Sequence, residues 1–106
     1  MKQKRQTGTD RYPRRLDHVV WKVIDGKGIL LNLEDGSYFE VGRVGLAIWQ
    51  HCDGKTTFGR MTQSIARDFR AREKRVTRDL QTFVAELKRR KLAEVLEEPK
   101  AATARV

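Results

Sequence analysis

Residues 28–54, GILLNLEDGSYFEVGRVGLAIWQHCDG, decide the fold of this chain. Two short runs, Ile29–Leu33 and Ser37–Val41, flank Glu34-Asp35-Gly36, which has the composition of a tight turn. They read as paired strands. A two-residue Asp35-Gly36 loop pairs Leu33 with Tyr38 and sets Leu31 beside Glu40. A three-residue loop, with Gly36 as a left-handed bulge, pairs Leu33 with Ser37, Leu31 with Phe39 and Ile29 with Val41. The second register is the expected one, because it gathers Ile29, Leu31, Leu33, Phe39 and Val41 on one face, and a slip of one residue scatters that face. Tyr38 and Glu40 then point the other way. Val41, Val44, Gly45, Ile48, Trp49 and Cys52 follow at helical spacing, so a helix over about Arg43–His51 is expected, ended by Asp53-Gly54. The Ser37–Val41 strand is left with an edge that no later segment obviously covers, and such an edge beside a helix can take an extended peptide.

Working outward, Val19–Ile24 alternates as a strand and Asp25–Gly28 reads as a turn. Thr57 is placed to cap a second helix whose inner face is Met61, Ile65 and Phe69. Arg70–Lys74 reads as a turn. A third helix is predicted from about Val76 to Arg90, with Val76, Leu80, Phe83, Val84 and Leu87 on one face and basic residues in the last turn, where they suit the helix dipole. Leu92, Val95 and Leu96 form a short last strand or close the core. Strands first and helices second argue an α+β domain over residues 16–96. Residues 1–15 lack apolar periodicity and read as a disordered basic arm; residues 97–106 read as a flexible tail.

Length and composition agree with one domain. The chain has 106 residues, 39% hydrophobic and 35% charged. No apolar run approaches a membrane span and no signal-peptide pattern is present, so a cytoplasmic protein is expected. The net charge of +9 is unevenly placed. Residues 1–15 carry +5, residues 60–78 another +5 and residues 88–91 (KRRK) +4, whereas residues 16–54, with three basic and six acidic groups, carry −3. Such a balance suits an acidic partner, either a polyanion or an acidic peptide.

Catalytic chemistry has little to stand on. His51 and Cys52 are helix neighbours that point apart, Cys52 falls on the apolar stripe, and His18 flanks a strand, so neither a metal site nor a nucleophile-base pair is formed. No phosphate-binding loop is present. Glu34 and Asp35 sit at a hairpin tip. No enzyme activity, metal or cofactor is expected.

The ordered set Gly28–Leu33, Asp35-Gly36, Tyr38–Val41, Gly45, Ile48-Trp49, Cys52–Gly54, Thr57, Ile65, Phe69, Val76, Asp79-Leu80, Phe83-Val84 and Leu87 resembles the PqqD-like family, also called the RiPP recognition element. The resemblance spans about residues 12–96. Val41-Gly42 stands where the family usually shows Leu-Asn, and Lys91-Leu92 where it often shows Gly-Leu. It implies a winged helix-turn-helix fold, with a three-stranded antiparallel sheet followed by three helices. It implies a peptide chaperone that binds the leader of a ribosomally made precursor and presents it to a modifying enzyme, such as a radical SAM protein or a leader peptidase. On this resemblance the leader adds as a strand along Ser37, Tyr38, Phe39, Glu40 and Val41. Its side chains meet the third helix, for which the candidates are Val76, Asp79, Leu80, Phe83, Val84 and Leu87. Arg78, Arg89 and Arg90 would steer an acidic leader.

Two other readings suit the same residues. A DNA-binding winged helix would enter the major groove with Arg75, Thr77, Arg78 and Gln81, although the split charge leaves no evident base-reading cluster. A dimerisation module would pair the open edge with its own copy.

Overall fold

The computed structural model describes residues 10–100. In chain order the elements are β1 (Tyr12–Arg15), β2 (Val19–Ile24), β3 (Lys27–Asn32), β4 (Tyr38–Val41), α1 (Arg43–His51), α2 (Phe58–Phe69), α3 (Glu73–Arg89) and β5 (Ala93–Leu96). Strands β2, β3 and β4 form one antiparallel sheet in that order, and the three helices follow, as an α+β chain should. The core lies between one sheet face and the helices. Trp49, Leu30, Ile48, Met61, Ile65, Leu80, Val84 and Leu87 are all within 2% of complete burial.

The register of the hairpin differs from the expected one by a residue. Leu30 pairs with Phe39, Gly28 with Val41 and Leu31 with Tyr38. The inward positions of β3 are therefore Gly28, Leu30 and Asn32, and Ile29, Leu31 and Leu33 lie on the opposite face. Phe39 and Val41 do face inward, as expected. The cause is chemical. Asn32 is buried, its Nδ2 donates to the Arg90 carbonyl at 3.3 Å, and its Oδ1 accepts from the Glu34 amide at 2.8 Å. This Asx turn lengthens the loop to Leu33–Gly36, closed by the Asn32 amide donating to the Ser37 carbonyl at 2.9 Å. Gly28 is small because β3 crosses closely over β4 and α1. A Cβ there would lie 2.9 Å from both Leu46 Cδ1 and Val41 Cγ2. With a glycine and an amide facing inward, apolar alternation marks the wrong face.

The first residues of the domain also differ from expectation. Tyr12–Arg15 form a strand that pairs antiparallel with β5, from Tyr12 with Leu96 to Arg15 with Ala93. The domain thus begins before residue 16. The second edge of β1 is engaged too, through the Gly54 amide to Pro13 carbonyl bond at 2.8 Å and the Phe58 amide to Arg11 carbonyl bond at 3.1 Å. Arg15 then serves as the C-terminal cap of α1. Its Nη1 donates to the carbonyls of Trp49 (3.1 Å) and Gln50 (3.0 Å), and its guanidinium lies under 6 Å from the Trp21 and Trp49 rings. Residues 1–9 and 101–106, where the rest of the expected arm and tail fall, lie outside the described residues.

The helices start and stop for local reasons. Thr57 caps α2, its Oγ1 accepting from the Arg60 amide at 3.2 Å. Arg70 closes α2 in the left-handed region (φ 53, ψ 47), and α3 begins after residues 70–72, earlier than expected. Asp53 organises the α1–α2 loop. Its Oδ1 accepts from the amides of Lys55 (2.8 Å) and Thr56 (2.9 Å), and its Oδ2 accepts from the Thr56 hydroxyl at 3.1 Å.

These carboxylates make stability pH-dependent. Burial opposes the charge on Asp53, yet the bonds from Lys55 and Thr56 outweigh it and hold the carboxyl below its usual range. The Ser37 hydroxyl and amide do the same for Asp35, and the Arg89 and Arg90 guanidiniums for Glu86. A carboxyl whose pKa is depressed on folding stabilises the native state above its unfolded pKa of about 4 and loses that contribution as pH falls through the native value. The thermal midpoint is expected to drop as pH is lowered from about 4 toward 2, and Asp53→Asn to flatten part of the drop. A midpoint that does not move over this window contradicts the assignment.

Candidate functional site

Strand β4 is an edge strand, and among the described residues none pairs with its open side. The Asn32–Ser37 bond sets the alternation of the ladder. Phe39 and Val41 direct their backbone groups at β3, so Tyr38 and Glu40 turn their N–H and C=O groups outward. Tyr38 is 70% exposed, and Ser37 and Glu40 are exposed as well. The edge therefore offers an unspent row of donors and acceptors.

Helix α3 forms the facing wall. Its residues Val76, Asp79 and Phe83 recur at helical spacing, and Arg90 follows one residue past its end. The Phe83 ring stacks on Phe39 at 6.2 Å between centroids and 24° between planes. The Arg90 guanidinium lies 3.9 Å from the centroid of the same Phe39 ring. Gly45 on α1 completes the floor. A Cβ there would stand 3.1 Å from the Phe83 ring and from Val41 Cβ, so any larger residue needs the ring or the strand to give by a few tenths of an ångström. At the Val41 end the groove leads to an apolar pocket of about 280 Å³, lined by Val44, Ile48, Ile65, Phe69, Ala71, Arg75, Val76 and Asp79.

The expected site residues divide into two groups. Ser37, Tyr38, Phe39, Glu40, Val41, Val76, Asp79 and Phe83 come together at this edge and groove. Leu80, Val84 and Leu87 do not. They are at most 1% exposed, lie on the core side of α3 and do not line the apolar pocket. The basic residues divide likewise. Arg89 and Arg90 are both tied to Glu86, Arg90 Nε at 2.7 Å from Oε2. Arg78 is exposed and makes no ion pair among the described residues. Gly45, Val44, Ile48, Ile65 and Phe69 belong to the groove and pocket although the sequence marked them only as helix-face residues.

Other reactive groups are quiet. Cys52 is fully buried, its thiol donates to the Ile48 carbonyl at 3.2 Å, and burial pushes its pKa up to about 12. His18 Nε2 lies 2.9 Å from the Lys91 carbonyl. Among the described residues no three His, Cys, Asp or Glu side chains could together hold a metal ion, and no helix is long and apolar enough to cross a membrane.

The comparisons bear on this groove. Residues 27–93 match the family model of coenzyme PQQ synthesis protein D, PqqD. No curated protein matches the chain. Among solved structures, "TbiB1 in Complex with the TbiA(beta) Leader Peptide" has the same fold, with a TM-score of 0.70 and 30% identity over 76% of this chain and 94% of that one. With well over half of its length matched by the family model, and a solved relative of this identity and coverage, the chain belongs to the PqqD family.

Proposed function

We propose that this chain is a non-catalytic, cytoplasmic peptide chaperone that captures the leader segment of a ribosomally made precursor. The leader adds to β4 as a further strand, and a modifying enzyme, such as a radical SAM protein or a leader peptidase, receives it from there. The carrying observation is the open β4 edge, whose outward groups lie on Tyr38 and Glu40, bordering a groove floored by Phe39, Gly45 and Phe83. Main-chain bonds to the edge provide affinity without sequence preference, and the pocket at the Val41 end selects an apolar side chain. The leader-bound relative supports this reading, because a chain of the same fold was solved with a peptide of this class. The winged helix-turn-helix geometry belongs to the same proposal, with α2 and α3 serving as peptide wall instead of DNA reader.

Synthetic leader peptides from the short reading frames beside the gene, with the TbiA(beta) leader as reference, provide the test. Fluorescence anisotropy is expected to show at least one binding with a Kd of about 1 μM or tighter, roughly −8 kcal/mol. Duplex DNA bound below about 1 μM with a steep salt slope, and no peptide bound, would replace this reading with the nucleic-acid one.

Phe83→Ala probes the floor. The ring sits at the margin of the core, only partly buried, and its partner Phe39 stays in place, so the domain is expected to fold. Losing the ring contact is expected to weaken leader binding about tenfold, near 1.4 kcal/mol. Unchanged affinity with the same peptide would remove Phe83 from the site.

A further inference from the structure

A strongly basic patch of the described surface lies beside the groove, at the turn between α2 and α3. Arg70, Arg72, Lys74, Arg75 and Arg78 surround an open concavity of about 530 Å³. All five side chains are exposed. Among the described residues only Arg75 is paired, with Asp79 at 3.5 Å, and Glu73 is the sole acid between residues 69 and 78. Gathering five cations around so few acids costs self-repulsion, and a surface needing only solubility would intersperse the two signs more evenly. The concavity adjoins the apolar pocket, since Ala71 and Arg75 line both. The path from the open edge therefore runs from Val41 to Val44, through the pocket, and on to this cluster.

We propose that the concavity receives an acidic segment of the peptide whose strand segment occupies β4, and that this segment lies N-terminal to the docked strand. The inference rests on the leader-binding reading for its ligand. The direction follows from geometry. Strand β4 starts near Arg90 at the end of α3 and at Val41 reaches Gly45 and Phe83, next to pocket residue Val44 and one helical turn from pocket residue Asp79. An antiparallel guest, the slightly more stable arrangement, brings its N-terminal residues toward that side. Carboxylates on that segment meet four cations that have no ion-pair partner among the described residues, which speeds encounter and sets the register of the strand. Nucleic acid suits the surface less well. The outward face of α3 between Arg78 and Lys88 is neutral, with Gln81, Thr82 and Ala85 exposed, and the hairpin loop places Glu34 and Asp35 where a wing would meet phosphate.

The test uses the full chain and fluorescein-labelled hexaglutamate at low ionic strength, followed by anisotropy. Arg72→Glu with Arg78→Glu is compared with Lys22→Glu with Lys27→Glu, which makes the same change in net charge on the sheet. The first pair is expected to weaken hexaglutamate binding at least about tenfold and the second less than about threefold. Equal losses would show only a response to net charge and overturn the site. A 20-base-pair duplex bound more tightly than hexaglutamate, and lost with the first pair alone, would assign the concavity to nucleic acid and overturn it as well. With a leader that binds, replacing its N-terminal Asp and Glu by Asn and Gln is expected to cost about tenfold; unchanged affinity defeats the proposed direction. Glu40→Pro separates the two readings, because it blocks the strand edge and is expected to leave hexaglutamate binding intact.

Discussion

Glu40→Pro is expected to abolish leader binding while the domain stays folded. In the β3–β4 ladder Glu40 stands opposite Ile29, in a pair whose backbone groups point away from each other. Proline at this position removes an N–H that makes no bond within the sheet, and an edge strand tolerates it. The preceding residue, Phe39, is already extended, as a residue before proline must be. The thermal midpoint is therefore expected to move by only a few degrees, corresponding to about 1 kcal/mol or less. A guest strand, in contrast, loses one of its main-chain donors and meets the ring across the edge. Affinity is expected to fall by about two orders of magnitude or beyond detection. Glu40→Ala keeps the backbone and is expected to cost less than about threefold. If Glu40→Pro folds and still binds the leader normally, the peptide does not add to β4. Phe39→Pro supplies the contrast, since it removes a bond to β3 and should unfold the hairpin.

The second large effect concerns neighbouring leucines. Leu30→Asp is expected to prevent folding, and Leu31→Asp to leave a folded protein. Leu30 is completely buried between β2, β4 and the helices, where a carboxylate would be cut off from water. The penalty of several kcal/mol consumes most of the roughly 5–15 kcal/mol that holds a domain of this size. Leu31 lies on the opposite sheet face with Val20, Ile24 and Ile29, where a charge can reach water; its substitution should cost no more than about 1 kcal/mol. Circular dichroism melts of both variants decide the matter. The opposite outcome would restore the register in which Leu31 faces inward.

That pair of residues marks where sequence reading stops. The α1 stripe, the Thr57 cap and the apolar face of α3 were legible because each depends on spacing within one element or on a cap a few residues away. The hairpin register was not, because the inward side of β3 carries Gly28 and Asn32. One is small to clear Leu46 and Val41, and the other is polar to bond the Arg90 carbonyl, so both reasons lie in partners distant in sequence. Strand β1 was missed for a similar cause. Tyr12–Arg15 has no apolar alternation, and its strand conformation is imposed by β5 and by bonds to Gly54 and Phe58.

The sequence by itself determined the order of elements, the α+β class, the buried roles of Trp49 and Cys52, the outward aim of Tyr38 and Glu40, and the resemblance that named the PqqD family. Tertiary structure alone decided which residues line the groove. Leu80, Val84 and Leu87 share an amphipathic face with Val76 and Phe83, and spacing cannot tell the part of that face turned to the core from the part turned to β4. Packing makes the division: α1 passes under the groove at Gly45, brings Phe83 against Phe39, and leaves the other three leucine and valine side chains sealed beneath.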